Sequence, residues 1–154
     1  MKRFLLLMAL LACWSGRAFA VCPTCSCTAS ATGVSFGIYQ PSSATPSTGV
    51  VTMSCTVTIG TGSIAYSIDL SAGNGSFAAR KMTSGSNALN YNLYTTSADA
   101  AVWGDGTSGT SVVSDSYSIT VLTVKNYTVY GLMPASQNIP AGSYSDTIMV
   151  TVNY

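Results

Sequence analysis

Val51-Thr52-Met53-Ser54-Cys55-Thr56-Val57-Thr58-Ile59 alternates apolar and small polar residues without a break. Successive side chains of a strand point to opposite faces, so this pattern buries one face and wets the other. Its β-branched and sulfur-bearing residues suit a pleated, half-buried surface. Cys55 falls on the apolar, inward face of this strand. The same period of two recurs along the chain. Val34, Phe36 and Ile38 alternate with Ser35 and Gly37, and Ile64, Tyr66, Ile68 and Leu70 with Ala65, Ser67 and Asp69. Leu89, Tyr91 and Leu93 follow, then Tyr117, Ile119 and Val121, then Tyr127 and Val129. Ile148, Val150, Val152 and Tyr154 close the series against Met149, Thr151 and Asn153.

Turn residues punctuate these runs: Gly60-Thr61-Gly62, Gly73-Asn74-Gly75, Gly104-Asp105-Gly106 with Gly109, and Pro140-Ala141-Gly142. No amphipathic helix period appears after the first 20 residues. Seven or so short strands with such punctuation predict an all-β, antiparallel β-sandwich. Gln40–Thr48, rich in Pro, Ser and Thr, reads as a loop. There is no internal repeat and no domain linker.

The first 20 residues read as a signal peptide. Lys2 and Arg3 precede the apolar run Phe4–Ala12, which is too short to span a bilayer, and Ala18-Phe19-Ala20 supplies the small-x-small cleavage pattern. A competing site is Leu10-Leu11-Ala12-Cys13, which resembles a lipobox. Cleavage after Ala20 makes residues 21–154 the mature domain, enough for one core. Its Arg80, Lys81 and Lys125 stand against Asp69, Asp99, Asp105, Asp115 and Asp146, a net charge of 3 − 5 = −2. No basic patch exists to neutralise phosphates, which argues against nucleic acid as a partner. So few charges leave little to repel a neighbouring copy.

The mature cysteines are Cys22, Cys25, Cys27 and Cys55. An even count in an exported chain reads as disulfides. Cys27 lies at the start of the first strand, so a Cys27–Cys55 bridge would tie the first two strands. It would close a loop of about 28 residues and contribute roughly 3–4 kcal/mol in the chain-entropy model. Cys25 competes for the same partner, and Cys22 with Cys25 could form a small ring or pair with another chain. The Cys22-Pro-Thr-Cys25 spacing also occurs in redox and zinc sites, but no helix follows it and the chain has no His. No cofactor or metal is expected. Asp99 and Asp105 lack the ligand spacing of a calcium loop. Trp103 reads as packed beside a structural turn, the tyrosines as core or cross-strand pairs, and Arg80 with Lys81 as a solvated pair. Asn74-Gly75-Ser76 and Asn126-Tyr127-Thr128 match a glycosylation pattern that chance often produces. Without His or Glu there is no nucleophile–base pair, so no enzyme activity is expected.

An ordered set of pieces carries a family resemblance. It runs through Cys27-Thr28, Phe36-Gly37-Ile38-Tyr39-Gln40-Pro41 and Gly49-Val50-Val51-Thr52-Met53-Ser54-Cys55-Thr56. It continues with Arg80, Met82, Tyr91-Asn92-Leu93-Tyr94 and Trp103-Gly104-Asp105-Gly106-Thr107. Tyr130-Gly131, Pro134, Gln137, Gly142-Ser143-Tyr144-Ser145-Asp146-Thr147 and Val150-Thr151-Val152-Asn153-Tyr154 complete it. From Cys27 to Tyr154 the chain resembles the spore coat protein U-like domain, the subunit of archaic chaperone–usher pili. The resemblance implies an immunoglobulin-like sandwich that lacks its last strand. It implies three partners: a periplasmic chaperone that lends a strand, an outer-membrane usher, and other pilin subunits whose N-terminal segments replace the lent strand. Ile148, Val150 and Val152 would line the strand-accepting groove, and Tyr154 would bring its carboxylate to the chaperone. The implied location is the periplasm in transit, then the cell surface as part of a pilus. One departure stands out. Only Val21–Ser26, with two Cys and a Pro, precede Cys27, where a polymerising subunit carries an alternating tail. The expectation is a subunit that accepts a strand but does not donate one, at a fibre end. The alternative is a secreted coat protein that uses the sandwich without strand exchange.

Overall fold

The structure is a computed structural model that describes residue 22 and residues 24–154. The expected signal peptide and lipobox lie outside the described residues. Among the described residues eight strands form: β1 (Cys25–Thr32), β2 (Thr45–Val57), β3 (Gly62–Leu70), β4 (Arg80–Ser84), β5 (Asn87–Tyr94), β6 (Val113–Ile119), β7 (Thr123–Met133) and β8 (Val150–Asn153). They build two sheets, β1-β2-β7-β5-β4 and β6-β3-β8, with every ladder antiparallel. The inward halves of the alternating runs meet between the sheets: Val51, Met53 and Cys55 from β2, Ile64, Tyr66, Ile68 and Leu70 from β3, and Leu89, Tyr91 and Leu93 from β5. The expected all-β sandwich is therefore what these residues form.

Two buried residues pin the sheets together. Trp103 is fully buried, and its ring N–H donates to the Ile68 carbonyl at 2.8 Å. Arg80 is fully buried too, which corrects the reading of Arg80 and Lys81 as a solvated pair. Its guanidinium donates to the Ser71 carbonyl at 2.9 and 3.0 Å, to Asn92 Oδ1 at 2.7 Å and to the Trp103 carbonyl at 2.6 Å. A planar fork with five donors can satisfy three fixed acceptors at once, which is why an Arg fits here. Lys81, the next residue on β4, points outward and is exposed.

Strand boundaries differ from the sequence reading in physically informative ways. β2 begins at Thr45, inside the expected loop Gln40–Thr48, because Thr45–Gly49 pair with Val129–Met133 of β7. Ile59 and Val121 fall in the turns after β2 and β6, since both runs end where the chain crosses between sheets. β4 has no apolar alternation to announce it. The first strand lies at Cys25–Thr32, while Val34–Ile38, read as a strand, is irregular.

Candidate functional site

Val34 and Phe36 nevertheless face inward, as their alternation requires. They lie flat on the larger sheet because the residues beneath them are glycines. A Cβ on Gly49 would stand 2.9 Å from Val34 Cγ2, and one on Gly131 would stand 2.8 Å from Phe36 Cζ. Phe36 also meets the Tyr91 ring edge-on, with centroids 5.8 Å apart. Gly33–Ile38 thus contributes side chains to the core while its backbone joins no ladder.

Across from it runs the approach to β8. From Tyr144 to Val152 every second residue is half-buried: Tyr144, Asp146, Ile148, Val150 and Val152. The residues between are exposed. β8 pairs with β3 alone, Val150 opposite Leu70 and Val152 opposite Ile68, and its other edge has no partner among the described residues. Between this free edge and the Ala31–Phe36 wall lies a cavity of about 290 Å³ over Val51, Leu70, Leu93 and Val129. A second cavity of about 660 Å³ continues past Phe36 and Met82 toward Ile38, Tyr39 and Ile139. The two share Val34, Phe36, Met82 and Tyr144, so they form one cleft along the open side of the sandwich.

Ile148 and Val150, expected at a strand-accepting groove, line the 290 Å³ cavity. Val152 packs half-buried against the core one step further along β8. Tyr154 stands apart from them, 71% exposed beyond the end of β8. The wall formed by Val34 and Phe36, and the floor residues Met82 and Tyr91, were not assigned to a groove from sequence. The signal that finds Tyr144 and Asp146 is the last run's alternation, extended backward past Ile148.

The charge at the groove is that of Asp146. Its Oδ2 accepts the Tyr91 hydroxyl at 2.7 Å, and its Oδ1 accepts the amides of Asn74 at 3.1 Å and Thr147 at 2.8 Å. Burial raises the Tyr91 phenol above the usual tyrosine range, and its hydrogen bond to Asp146 adds to the rise.

The cysteines sit at the opposite pole. One disulfide joins Cys27 to Cys55, which face each other across the β1–β2 ladder. A second joins Cys22 to Cys25 and packs on Gly62, where a Cβ would collide with both sulfurs. The turns after β2 and β6 reach the same pole, since Gly62 pairs with Ile119 and Cys55 with Thr123. There Ile59 is 78% exposed, and Val121, Leu122 and Val124 are exposed beside it.

A family model described as the Spore Coat Protein U domain matches residues 17–151. The chain belongs to the Spore Coat Protein U domain family. Among solved structures, the chain is similar to one from the CsuC–CsuE chaperone–tip adhesion subunit pre-assembly complex of archaic chaperone–usher Csu pili of Acinetobacter baumannii. The two are 25% identical with a TM-score of 0.53, over 84% of this chain and 40% of that one. This Spore Coat Protein U chain therefore spans less than half of that chain's length. No curated protein matches the sequence.

Proposed function

We propose that this protein is an exported subunit of a chaperone–usher surface pilus, and that its open groove accepts a β-strand from a partner. The observation that carries this is the free edge of β8 beside an apolar cleft. An exposed apolar edge is an aggregation hazard that natural proteins cover. An added strand covers it with main-chain hydrogen bonds along β8 and alternate side chains in the cleft. The irregular Gly33–Ile38 segment supports the same reading, since it has strand alternation and no strand partner. Family membership and the likeness to a chain from a chaperone–subunit complex support it further. In this reading the signal peptide of residues 1–20 directs export. A periplasmic chaperone holds the groove first, an outer-membrane usher receives the complex, and another pilin's segment replaces the chaperone's strand.

The subunit's place is a fibre end. Cleavage after Ala20 leaves Val21–Thr24 ahead of β1. Cys22 is tied to Cys25, and the Thr24 carbonyl accepts the Thr58 amide at 2.9 Å. A segment so short and so anchored cannot fill another subunit's groove. The pole from which it emerges carries Ile59, Val121, Leu122 and Val124 in the open, which suits an adhesive contact at a free end. Function is by binding, not catalysis.

Co-expression of residues 21–154 with a cognate periplasmic pilus chaperone tests the reading. The expected products are a stable 1:1 complex and, without the chaperone, aggregates or strand-swapped species. A soluble monomer whose sandwich is closed by its own chain contradicts it.

A further inference from the structure

The groove mixes apolar side chains with the small hydroxyls of Thr32, Ser35 and Ser145 and with tyrosines, and it carries a single charge. Asp146 is the one charged residue lining either cavity. It also breaks the inward series Tyr144, Asp146, Ile148, Val150 and Val152, in which the other members offer apolar surface. Two of its hydrogen bonds, from Asn74 and Thr147, fall on Oδ1, and one, from Tyr91, falls on Oδ2. Each carboxylate oxygen can accept about two bonds, so Oδ2 keeps room for one more donor. A strand laid along this rail would place one inward side chain beside that oxygen. A carboxylate there would meet a like charge, and an aliphatic side chain would cover the oxygen without bonding it.

Resting on the strand-accepting reading above, we propose that Asp146 selects the incoming strand. The strand presents a hydroxyl donor, threonine or serine, at one inward position and apolar side chains at the others. The chemistry is a charge-assisted O–H to carboxylate bond inside a cleft that otherwise rewards burial. Threonine and valine have the same shape, so the choice between them isolates the hydroxyl.

The probes are labelled twelve-residue synthetic peptides that alternate valine with threonine and carry terminal lysines. A second set replaces one inward valine at a time by threonine or by glutamate. Residues 21–154 are refolded from urea with each peptide, and binding is read by fluorescence anisotropy. One inward position should favour threonine over valine by about tenfold, the size of a hydrogen bond to a charged group. Glutamate at that position should abolish binding. In Asp146→Asn the ratio of threonine to valine affinity at that position should fall to about one. Tyr91→Phe, which frees Oδ2 of its partner, should keep or sharpen the preference and serves if Asp146→Asn does not fold. Threonine weakening binding at every inward position would overturn the selectivity and leave strand acceptance standing. Failure of every peptide, the all-valine one included, would overturn strand acceptance itself.

Discussion

Arg80 shows how much one side chain can organise. It is fully buried and holds the Ser71 and Trp103 carbonyls and the Asn92 side chain in one fork. Replacing it by methionine keeps the bulk, strips the donor from the Ser71 and Trp103 carbonyls and leaves Asn92 Oδ1 only the Leu93 amide, which should cost about 3 kcal/mol. Lysine should recover little of this, because a single ammonium cannot reach all three acceptors. A urea titration read by fluorescence of Trp103, which is itself fully buried, measures both variants. Near-native midpoints for either would contradict the role. Cys55 is a second test at this scale. The Cys27–Cys55 bridge spans a sequence separation of 28, and its loss should remove roughly 3–4 kcal/mol on the chain-entropy model. Cys55→Ala should therefore lower periplasmic yield, and unchanged yield and urea midpoint would count against it. The sequence made the two residues differently legible. Cys55 stands in an unbroken alternation that assigns it inward. Arg80 stands in a short strand whose only local cue is a charged pair, and surface exposure is the ordinary fate of such a pair.

Between elements, a tyrosine cluster joins β3, β6 and β7. The Tyr127 hydroxyl donates to Asp115 Oδ2 at 2.7 Å, so Tyr66 donates to Tyr127 at 2.6 Å. Tyr117 lies 3.4 Å from Tyr66, and Lys125 stands 4.9 Å over the Tyr117 ring and 3.8 Å from Asp115. Burial, the largest cause, raises the Tyr66, Tyr117 and Tyr127 phenols above their usual value, with the neighbouring carboxylate adding to it. A phenol raised in the fold keeps its proton when the unfolded chain has released it. The stability this provides is whole below about pH 10, the unfolded value, and is lost as pH climbs toward the folded one. Urea midpoints from pH 8 to 11 should therefore fall steeply at the alkaline end. Tyr127→Phe should start lower by about 1 kcal/mol and fall less steeply. A flat profile in the native chain would contradict the buried network. The strands of this cluster were legible, because Ile64–Leu70, Tyr117–Ile119 and Tyr127–Val129 alternate cleanly. Val34–Ile38 was legible as a pattern and still forms no strand. Alternation reports which side chains are buried, whereas a ladder also needs a partner backbone, and among the described residues none pairs with this segment.

For the whole molecule, the sandwich has two unlike poles joined by one open side. The open side is the cleft between β8 and the Ala31–Phe36 wall, and the far pole carries the disulfide-tied N-terminal segment and the exposed apolar turns. On the proposed reading, a subunit that accepts a strand and donates none ends a chain of subunits. Expressed with its chaperone and usher alone, the subunit should give no long fibres by electron microscopy. Fibres should appear when a sister subunit with a longer alternating tail is added, and long homopolymers would refute the fibre-end placement. Strand acceptance itself is tested most directly by amide hydrogen exchange of residues 21–154, alone and bound to the chaperone. In the bound state, slow exchange should newly appear at the β8 amides that point away from β3 and across Gly33–Ile38, the two backbones that flank the cleft, and these amides should exchange fast in the free chain. Equal protection of both segments in a free monomer, or no new protection on binding, would contradict a groove built to receive a strand.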